Sequence, residues 1–308
     1  MSTLEFFLAG TFSAATIFLL AALGELVAEK SGVLNLSVEG MMAISAAVGF
    51  AVTYETGNHV LGFTMAGVAG VLTSLVFAVT AITFLANQVA TGLAVGILGL
   101  GLSALIGRDY ESLTIPSTDG LNIPVLSELP LIGPVLFQQN PVVYLTFALA
   151  VVIGVTLKYT RLGLAIRSSG ENPHAAQALG FPVFLIRYCC VAFGGLLAGF
   201  AGAYASTIYT PLWADGMIAG RGWIAVALVV FGTWKTGRIA FGALLFGMIS
   251  LGELIAQSMG ANIPSQLLSS LPYIVTIVVL AIISTDRVRM KLHSPFSLGE
   301  TFDGTEGR

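Results

Sequence analysis

Side chains that could make or break bonds, or hold a metal, are few and widely separated in this sequence. The three histidines, His59, His174 and His293, lie in three different polar segments, and the two cysteines, Cys189 and Cys190, are neighbours in an apolar run. A metal site needs several such ligands at fixed spacing, and nucleophilic catalysis needs a nucleophile with a base beside it. We therefore expect no catalytic residue, no metal site and no cofactor bound by this chain.

A Lys-Thr pair is the nearest approach to a nucleotide-binding motif. It lies in FGTWKTG, Phe231–Gly237, which lacks the glycine spacing of the phosphate-binding G-x-x-x-x-G-K-[ST] loop. Lys235 and Arg238 are more simply interpreted as basic anchors on the cytoplasmic side of a membrane. The sequence thus predicts that the chain is not an enzyme.

One carboxylate, Glu253, lies deep in an apolar segment. Ionisable groups inside membrane spans are costly and are often functional. Glu253 could couple transport to an ion, which would make the chain a secondary transporter. It could instead bond Ser250 one turn earlier, or lie near the outer mouth of the span. The sequence leaves these alternatives open.

The stretch SGVLNLSVEG, residues 31–40, is a polar elbow in front of an apolar segment. Asn35 and Ser37 are residue types that cap helices. Glu39 would lie in the first turn, where its charge suits the helix dipole. The pattern indicates either an elbow leading into a half-helix or an ordinary capped turn at the membrane interface.

The stretch SSGENPHAAQALGFP, residues 168–182, predicts a very short helix. Asn172 suits the N-cap and Pro173 the first helical position. Gly180 suits the C-terminal end, and the following proline prevents continuation. The helix Pro173–Leu179 has about two turns, and helices this short are marginal in water on their own. We therefore expect it to pack against a partner, although a plain surface helix is the alternative.

Composition defines the class of protein. The chain has 308 residues, of which 56% are hydrophobic and 9% charged, with a mean hydropathy of +0.91. Soluble domains carry about a quarter charged residues, so the sequence predicts an all-α polytopic membrane protein. We predict nine transmembrane spans, of which the second and seventh are too short to cross unaided. They are Leu4–Leu23, Met41–Thr53, Leu61–Leu85, Val89–Gly107, Pro141–Leu157, Tyr188–Tyr209, Trp223–Trp234, Ile239–Met259 and Leu271–Thr285.

The basic residues predict the orientation of these spans. With the C-terminus in the cytoplasm and nine spans, all of the 13 basic residues except Arg108 and Arg221 lie inside. The N-terminus is then outside. Residues 1–285 form the membrane domain, with an external loop at 108–140 and a cytoplasmic loop at 158–187. Residues 286–308 form a cytoplasmic tail that we expect to be disordered, because it has few apolar residues.

The same count predicts an internal inverted repeat. Spans one to four and spans six to nine have opposite topology, and the two short spans occupy matching positions. Each follows a glycine-containing polar stretch, SGVLNLSVEG in one half and ADGMIAGRG in the other. Short, glycine-interrupted spans in an inverted repeat indicate a translocation path. The alternative is that the glycines only let helices pack closely.

Three stretches together resemble a known family: GELVAEKSGVLNLSVEGMM, GENPHAAQALGF and GRGWIAVALVVFGTWK. They are similar to the inner-membrane permeases of ATP-binding cassette (ABC) importers in the branched-chain amino acid and simple-sugar group. Within that group they are most similar to nucleoside and simple-sugar permeases. The resemblance runs from about Leu4 to Thr285 and implies a type II ABC importer-like fold.

The resemblance implies a coupling helix that a separate ATPase subunit grips from the cytoplasm. Ala175, Ala176 and Leu179 would form its apolar docking face, and ATP would be used by that partner. The coupling residues would be Gly170, Glu171, Asn172, Pro173, Ala175, Ala176, Leu179 and Gly180.

Further partners implied are a second permease subunit, identical or different, and an extracytoplasmic substrate-binding lipoprotein. Membrane lipid surrounds the chain, and no nucleic acid is expected. The cargo would be a small polar solute, a nucleoside or simple sugar. The translocation path would include Asn35, Ser37, Glu39, Gly40, Trp223 and Phe231, although aromatic residues also gather at membrane interfaces. A secondary transporter and a non-transporting scaffold or receptor are the competing classes.

Overall fold

The computed structural model describes residues 3–118, 120–122, 124, 126–129, 132–258, 270–272, 274–278, 281 and 294–304. Within these ranges the regular secondary structure is helical, apart from one isolated bridge between Thr114 and Leu212. The helices are α1 (Thr3–Lys30), α2 (Val38–Thr56), α3 (His59–Ala78), α4 (Gln88–Gly107), α5 (Ile132–Phe137), α6 (Pro141–Tyr159), α7 (Arg161–Glu171), α8 (Pro173–Ala178), α9 (Val183–Tyr204), α10 (Arg221–Phe231) and α11 (Thr236–Ser258). Single π-helical turns, Val79–Thr83 and Ala205–Tyr209, extend α3 and α9.

Six helical segments in the described part of the chain are long and apolar enough to cross a membrane, so the protein is a multi-pass membrane protein. They match the first, third, fourth, fifth, sixth and eighth predicted spans. They are Leu4–Lys30, His59–Thr83, Gln88–Tyr110, Pro141–Tyr159, Val183–Tyr209 and Thr236–Gln257.

The remaining three predicted spans have different outcomes. The second is α2, which gains flanking residues and reaches 19 residues. The seventh is α10, which has only 11 residues and is about 16 Å long, half of a bilayer core. The ninth, Leu271–Thr285, lies only partly within the described residues, of which 271, 272, 274–278 and 281 are helical.

Local signals explain where several helices begin. The side-chain oxygens of Asn58, Asn87 and Asn140 accept hydrogen bonds from backbone amides in the first turns of α3, α4 and α6. Thr160 does the same for α7. These bonds satisfy amides that have no partner within the helix.

Glycines bring the central helices into backbone contact. A Cβ atom on Gly40 of α2 would lie 2.3 Å from the carbonyl oxygen of Gly96 in α4, and one on Gly99 would lie 2.5 Å from the carbonyl oxygen of Gly40. Gly24 of α1 and Gly194 of α9 make a similar contact. Small residues permit such close packing in membranes, so these glycines do serve helix packing.

Two predicted boundaries differ from the structure. α1 runs to Lys30, beyond the expected end at Leu23. α9 begins at Val183, so Arg187 lies in a helix rather than in the preceding loop, and α7 and α8 occupy much of that loop.

The C-terminal tail also differs from expectation where it is described. We expected residues 286–308 to be disordered, but Ser297 and Phe302 are buried. Backbone hydrogen bonds join Ser297 to Gly170 and Gly299 to Gly32. One aromatic anchor and paired backbone groups hold this segment, so a low apolar content did not prevent it from packing.

Candidate functional site

The N-terminus of α10 is capped by a carboxylate from a different helix. Glu39 of α2 accepts hydrogen bonds from the amides of Gly220 (2.6 Å), Gly222 (2.7 Å) and Trp223 (3.3 Å). No side chain at the N-cap position of α10 itself makes such a bond, because that residue is Gly220. The two polar stretches that precede the short helices therefore meet at one carboxylate.

Close packing accompanies this contact. A Cβ atom on Gly222 would lie 2.5 Å from the Cα of Glu39. Arg221, next to it, lies within electrostatic range of both Glu39 and Glu253, and its guanidinium lies 5.8 Å from the ring centre of Tyr209. The buried negative charge thus faces backbone amides, a helix N-terminus and a guanidinium, all of which stabilise it.

A cavity of about 350 Å³ opens beside the capped end of α10. Its wall combines two carboxylates, aromatic rings and small residues from α2, α4, α10 and the segment that leads into α10. The lining residues are Glu39, Ala43, Leu100, Ser103, Ala104, Trp213, Asp215, Gly216, Met217, Ile218, Ala219, Gly220 and Trp223. The indole of Trp223 is 39% exposed, so one ring is available to a solute in this cavity.

Of the six predicted path residues, only Glu39 and Trp223 line this cavity. Asn35 and Ser37 are buried in the elbow, where the Ser37 hydroxyl and backbone amide both donate to Asn35 Oδ1 (2.5 and 3.0 Å). The amide of Asn35 in turn donates to Glu25 Oε1 (3.0 Å). Ser37 therefore does not cap α2 with its side chain, which corrects that part of the elbow interpretation.

The other two predicted path residues pack against glycines. Gly40 contacts the backbone of α4, and the ring of Phe231 contacts Gly242 of α11. Both positions hold helices together, and neither lines the cavity.

Sequence reasoning did not single out Ser103 or Asp215 as cavity residues. Ser103 is the one polar side chain in the second half of α4, and an isolated polar residue in a span is a usable signal. Asp215 carries no such signal, because it lies in a loop whose course depends on contacts such as that of Trp213 with Gly107.

Glu253 lies apart from the cavity lining. It is partly buried on α11 and accepts a hydrogen bond from Gln257 on the same helix (3.2 Å). No group of three or more His, Cys, Asp or Glu side chains within the described ranges is arranged to hold a metal ion.

The second candidate site is the short helix α8. It begins as the sequence predicts, with Asn172 Oδ1 accepting a bond from the amide of Ala175 (3.0 Å) and Pro173 at the first position. It ends at Ala178, and Gly180 follows with φ of +88°, a conformation that favours glycine.

The exposed and buried residues of α8 are not those that the sequence predicted. Ala175 and Leu179 are exposed, Leu179 to 77%, whereas Ala176 is only 1% exposed. Ala176 packs with Val183 and Phe302. Ala176 therefore does not belong to the exposed face that the prediction gave it. That face consists of Ala175, Ala178 and Leu179.

The other predicted coupling residues lie around α8. Glu171 and Asn172 are exposed, and Pro173 is buried. Gly170 is buried where a Cβ atom would lie 2.4 Å from the carbonyl oxygen of Lys30. Gly170 thus joins the end of α7 to the end of α1.

Proteins that are similar in sequence to this chain are transport permeases. A family model described as the permease component of branched-chain amino acid transport systems matches residues 7–283. A putative glucose ABC transporter permease protein of Haloferax volcanii is 40% identical over 92% of this chain and 94% of its own length. A guanosine ABC transporter permease protein of Bacillus subtilis is 34% identical over 85% of this chain and 86% of its own length. A nucleoside ABC transporter permease protein of Lactococcus lactis is 30% identical over 92% of this chain and 93% of its own length. No solved structure matches the chain.

Proposed function

The chain belongs to the family of permease components of branched-chain amino acid transport systems, and from that premise we propose its cargo, its partners and its arrangement in the membrane. It is the membrane-spanning permease subunit of an ABC importer. It is not itself an enzyme, because the ATPase of such importers is a separate subunit. The ion-coupled alternative that rested on Glu253 is not supported.

The proposed cargo is a solute that carries a sugar ring, either a monosaccharide or a nucleoside. The named relatives are permeases for glucose, guanosine and nucleosides, whose common chemical element is that ring. The cavity beside α10 offers the exposed face of Trp223 for stacking and Ser103 and Asp215 for hydrogen bonds. Pockets that are mostly apolar with a few polar groups are typical of small-molecule sites.

The proposed topology has nine spans, with the N-terminus outside and the C-terminus in the cytoplasm. α1 is about 42 Å long, and its Lys30 end lies near Gly32, which bonds the tail residue Gly299. The start of α1 and the tail are therefore at opposite ends of a spanning helix, which supports an odd number of crossings. The contact of α2 with α10 at Glu39 supports an inverted repeat whose halves meet at the path.

The proposed ATPase contact is the exposed side of α8. We expect an ATPase subunit to pack on Ala175, Ala178 and Leu179, with Glu171 at the edge. The observation that carries this proposal is Leu179, a large apolar side chain that is 77% exposed at the C-terminal end of α8. ATP stays with that subunit, and this chain binds no cofactor. A second permease subunit and an extracytoplasmic binding lipoprotein complete the proposed importer.

The test is the Ala175→Arg variant, with Ala175→Ser as its matched control. Arginine is a good helix former, so α8 should survive, but an unpaired cation at a tight contact should cost about 3 kcal/mol. That loss corresponds to more than about a hundredfold weaker docking. We expect the ATPase to be lost on co-purification with Ala175→Arg and kept with Ala175→Ser. Normal ATPase recovery and uptake with both variants would rule out α8 as the contact.

A further inference from the structure

A second cavity, of about 460 Å³, lies where the ends of α1 and α6 meet α7 and the turn between α10 and α11. Four basic side chains from four segments line it: Lys30, Lys158, Arg167 and Lys235. The hydroxyl-bearing residues Thr233 and Thr236 also line it. Nothing in the transport path or in α8 uses this cavity.

Basic side chains outnumber acidic ones around this cavity. Lys30 lies within electrostatic range of Arg167 and Lys235, which repel it, and of Glu171 and Glu29, which attract it. Glu29 is buried, and its carboxylate accepts a hydrogen bond from the indole of Trp234. Lys158, Arg167 and Lys235 are exposed and Lys30 is half-buried, so solvent screens part of their repulsion. An anion bound among the four would offset the repulsion that remains.

The backbone adds to the positive electrostatic potential in this cavity. α11, a helix of 23 residues, begins at Thr236, so the positive end of its dipole faces the cavity that Thr236 and Gly237 line. The space beside Gly237 is open, because no atom lies within 4 Å of where its Cβ would be.

We propose that this cavity binds the phosphate group of an anionic ligand. The attraction of basic residues to one side of a membrane explains why these four lie on the same side, but not why they surround one cavity. The adjoining helices expose Val151 and Val155 on α6 and Phe241 on α11. An acyl chain could lie along these apolar faces, which favours an anionic lipid as the source of the phosphate.

The test measures lipid binding to the purified importer by native mass spectrometry, using phosphatidylglycerol, phosphatidylcholine and inorganic phosphate as probes. The variants are Arg167→Gln and Lys235→Gln, and the control is Arg161→Gln, an exposed arginine on α7 that does not line the cavity. We expect each cavity variant to bind phosphatidylglycerol about fivefold more weakly. The control should bind it like the unsubstituted protein.

Each outcome has a defined meaning. Cavity-dependent binding of phosphatidylglycerol, but not of inorganic phosphate, supports a lipid site. Cavity-dependent binding of inorganic phosphate alone supports the same site with a soluble ligand. If Arg167→Gln and Lys235→Gln change neither binding more than Arg161→Gln does, the proposal is wrong.

A separate observation concerns the tail segment Ser294–Gly304, here called the strap. Ser297 bonds the carbonyl oxygen of Gly170 through both its amide (3.0 Å) and its hydroxyl (2.7 Å). The carbonyl oxygen of Glu300 accepts bonds from Gln88 of α4 (3.1 Å) and Arg187 of α9 (3.4 Å). The strap therefore joins the C-terminal end of α7, just before α8, to two spanning helices.

An aromatic residue fixes the other end of the strap beneath α8. The ring of Phe302 lies 5.0 Å from that of His174 and 5.4 Å from that of Phe184, with the guanidinium of Arg187 5.5 Å away. Phe302 is 2% exposed and packs with Ala176. α8 thus rests on the strap with one face and presents the other face outward.

We infer that the strap is the positioning element that transmits movement of α8 to α1, α4 and α9. This inference rests on the proposed role of α8 as the ATPase contact. A helix of about two turns has little rigidity of its own, so a displacement of α8 reaches the spans through the adjoining chain and through the residues on which α8 is packed. The strap supplies that support through Phe302 and passes it to Gly32, Gln88 and Arg187.

The test is the Phe302→Ala variant, with Phe296→Ala as matched control, because Phe296 is in the same strap but 84% exposed. We expect at least tenfold faster amide hydrogen exchange in residues 173–180, and less uptake per ATP hydrolysed, with Phe302→Ala only. The ATPase should still co-purify, which separates this inference from failure of α8 as the docking site. Unchanged exchange and unchanged uptake per ATP in Phe302→Ala would overturn the inference.

Discussion

The carboxylate of Glu39 lies 2.7 Å from the backbone nitrogen of Gly222 and 2.6 Å from that of Gly220. This contact joins α2 to the start of α10 through residues that are 181 or more positions apart in the chain. α10 by itself covers only about half of a membrane crossing, so its N-terminal amides would be unsatisfied inside the bilayer without an acceptor. Glu39 therefore makes a half-helix possible at the wall of the cavity.

The first prediction follows from that contact. Glu39→Ala removes an acceptor that bonds three amides and should destabilise the protein by about 3 kcal/mol, because buried bonds to charged groups are strong. Glu39→Gln keeps one acceptor oxygen and should have an intermediate effect. Thermal unfolding of the purified protein and substrate uptake measure both changes.

Glu55→Gln is the control for Glu39, since Glu55 is exposed on the same helix and accepts a single bond from Tyr110 (3.3 Å). It should change stability by less than about 0.5 kcal/mol. Equal stability of Glu39→Ala and Glu55→Gln would show that the cap is dispensable.

The second prediction concerns two glycines of α4 that differ only in their surroundings. A Cβ on Gly99 would lie 2.5 Å from the carbonyl oxygen of Gly40, whereas a Cβ on Gly101 would have no atom within 4 Å. Gly99→Ala should destabilise by roughly 1–3 kcal/mol through overpacking. Gly101→Ala should be neutral or slightly stabilising, as alanine favours helix. The unfolding midpoints of the two variants are compared in detergent. Equal midpoints would contradict the backbone contact between α2 and α4.

Local signals predicted the elements that depend on their own residues. Asn172, Pro173 and Gly180 place α8 because caps and turn residues act within a few positions. The long apolar runs placed six spans because each is continuous enough to cross a bilayer. None of these elements needs information from a distant part of the chain.

Contacts between distant segments decided the rest. The position of α10 decides whether Asn35, Ser37 or Glu39 faces the cavity. The residues that surround these three in the sequence do not indicate that position. Ala175 and Ala176 are adjacent alanines, and packing against Val183 and Phe302 buries the second while the first stays exposed. Phe302 is one of two aromatic residues in a polar tail, and no periodicity there predicts that Phe302 is buried while Phe296 is exposed.

The third prediction tests the proposed topology. In a background carrying Cys189→Ala and Cys190→Ala, single cysteines are placed by Ser117→Cys and Ala178→Cys. Both positions are exposed in the structure. A membrane-impermeant thiol reagent added to intact cells should label the first variant and not the second. Opening the cells and stripping the ATPase subunit from the membranes should make the second variant reactive. Labelling of Ala178→Cys in intact cells would place α8 outside and contradict the proposed orientation.

The last prediction concerns the cavity and its cargo. Trp223 is the ring that the cavity exposes, and an aromatic face suits the apolar face of a sugar or a nucleobase, so Trp223→Ala should weaken solute binding in the path. A loss of about 1 kcal/mol of stacking corresponds to roughly fivefold lower uptake at limiting substrate. Phe241→Ala is the control, because Phe241 is an exposed aromatic residue on α11 outside this cavity. Uptake of labelled glucose and guanosine is measured with the ATPase and binding protein present, and thermal unfolding confirms that both variants are folded. Lower uptake of either solute with Trp223→Ala, together with normal uptake with Phe241→Ala, places the solute against Trp223. Equal uptake by the two variants would mean that the solute crosses elsewhere, because an exposed ring in contact with a moving solute cannot be removed without consequence.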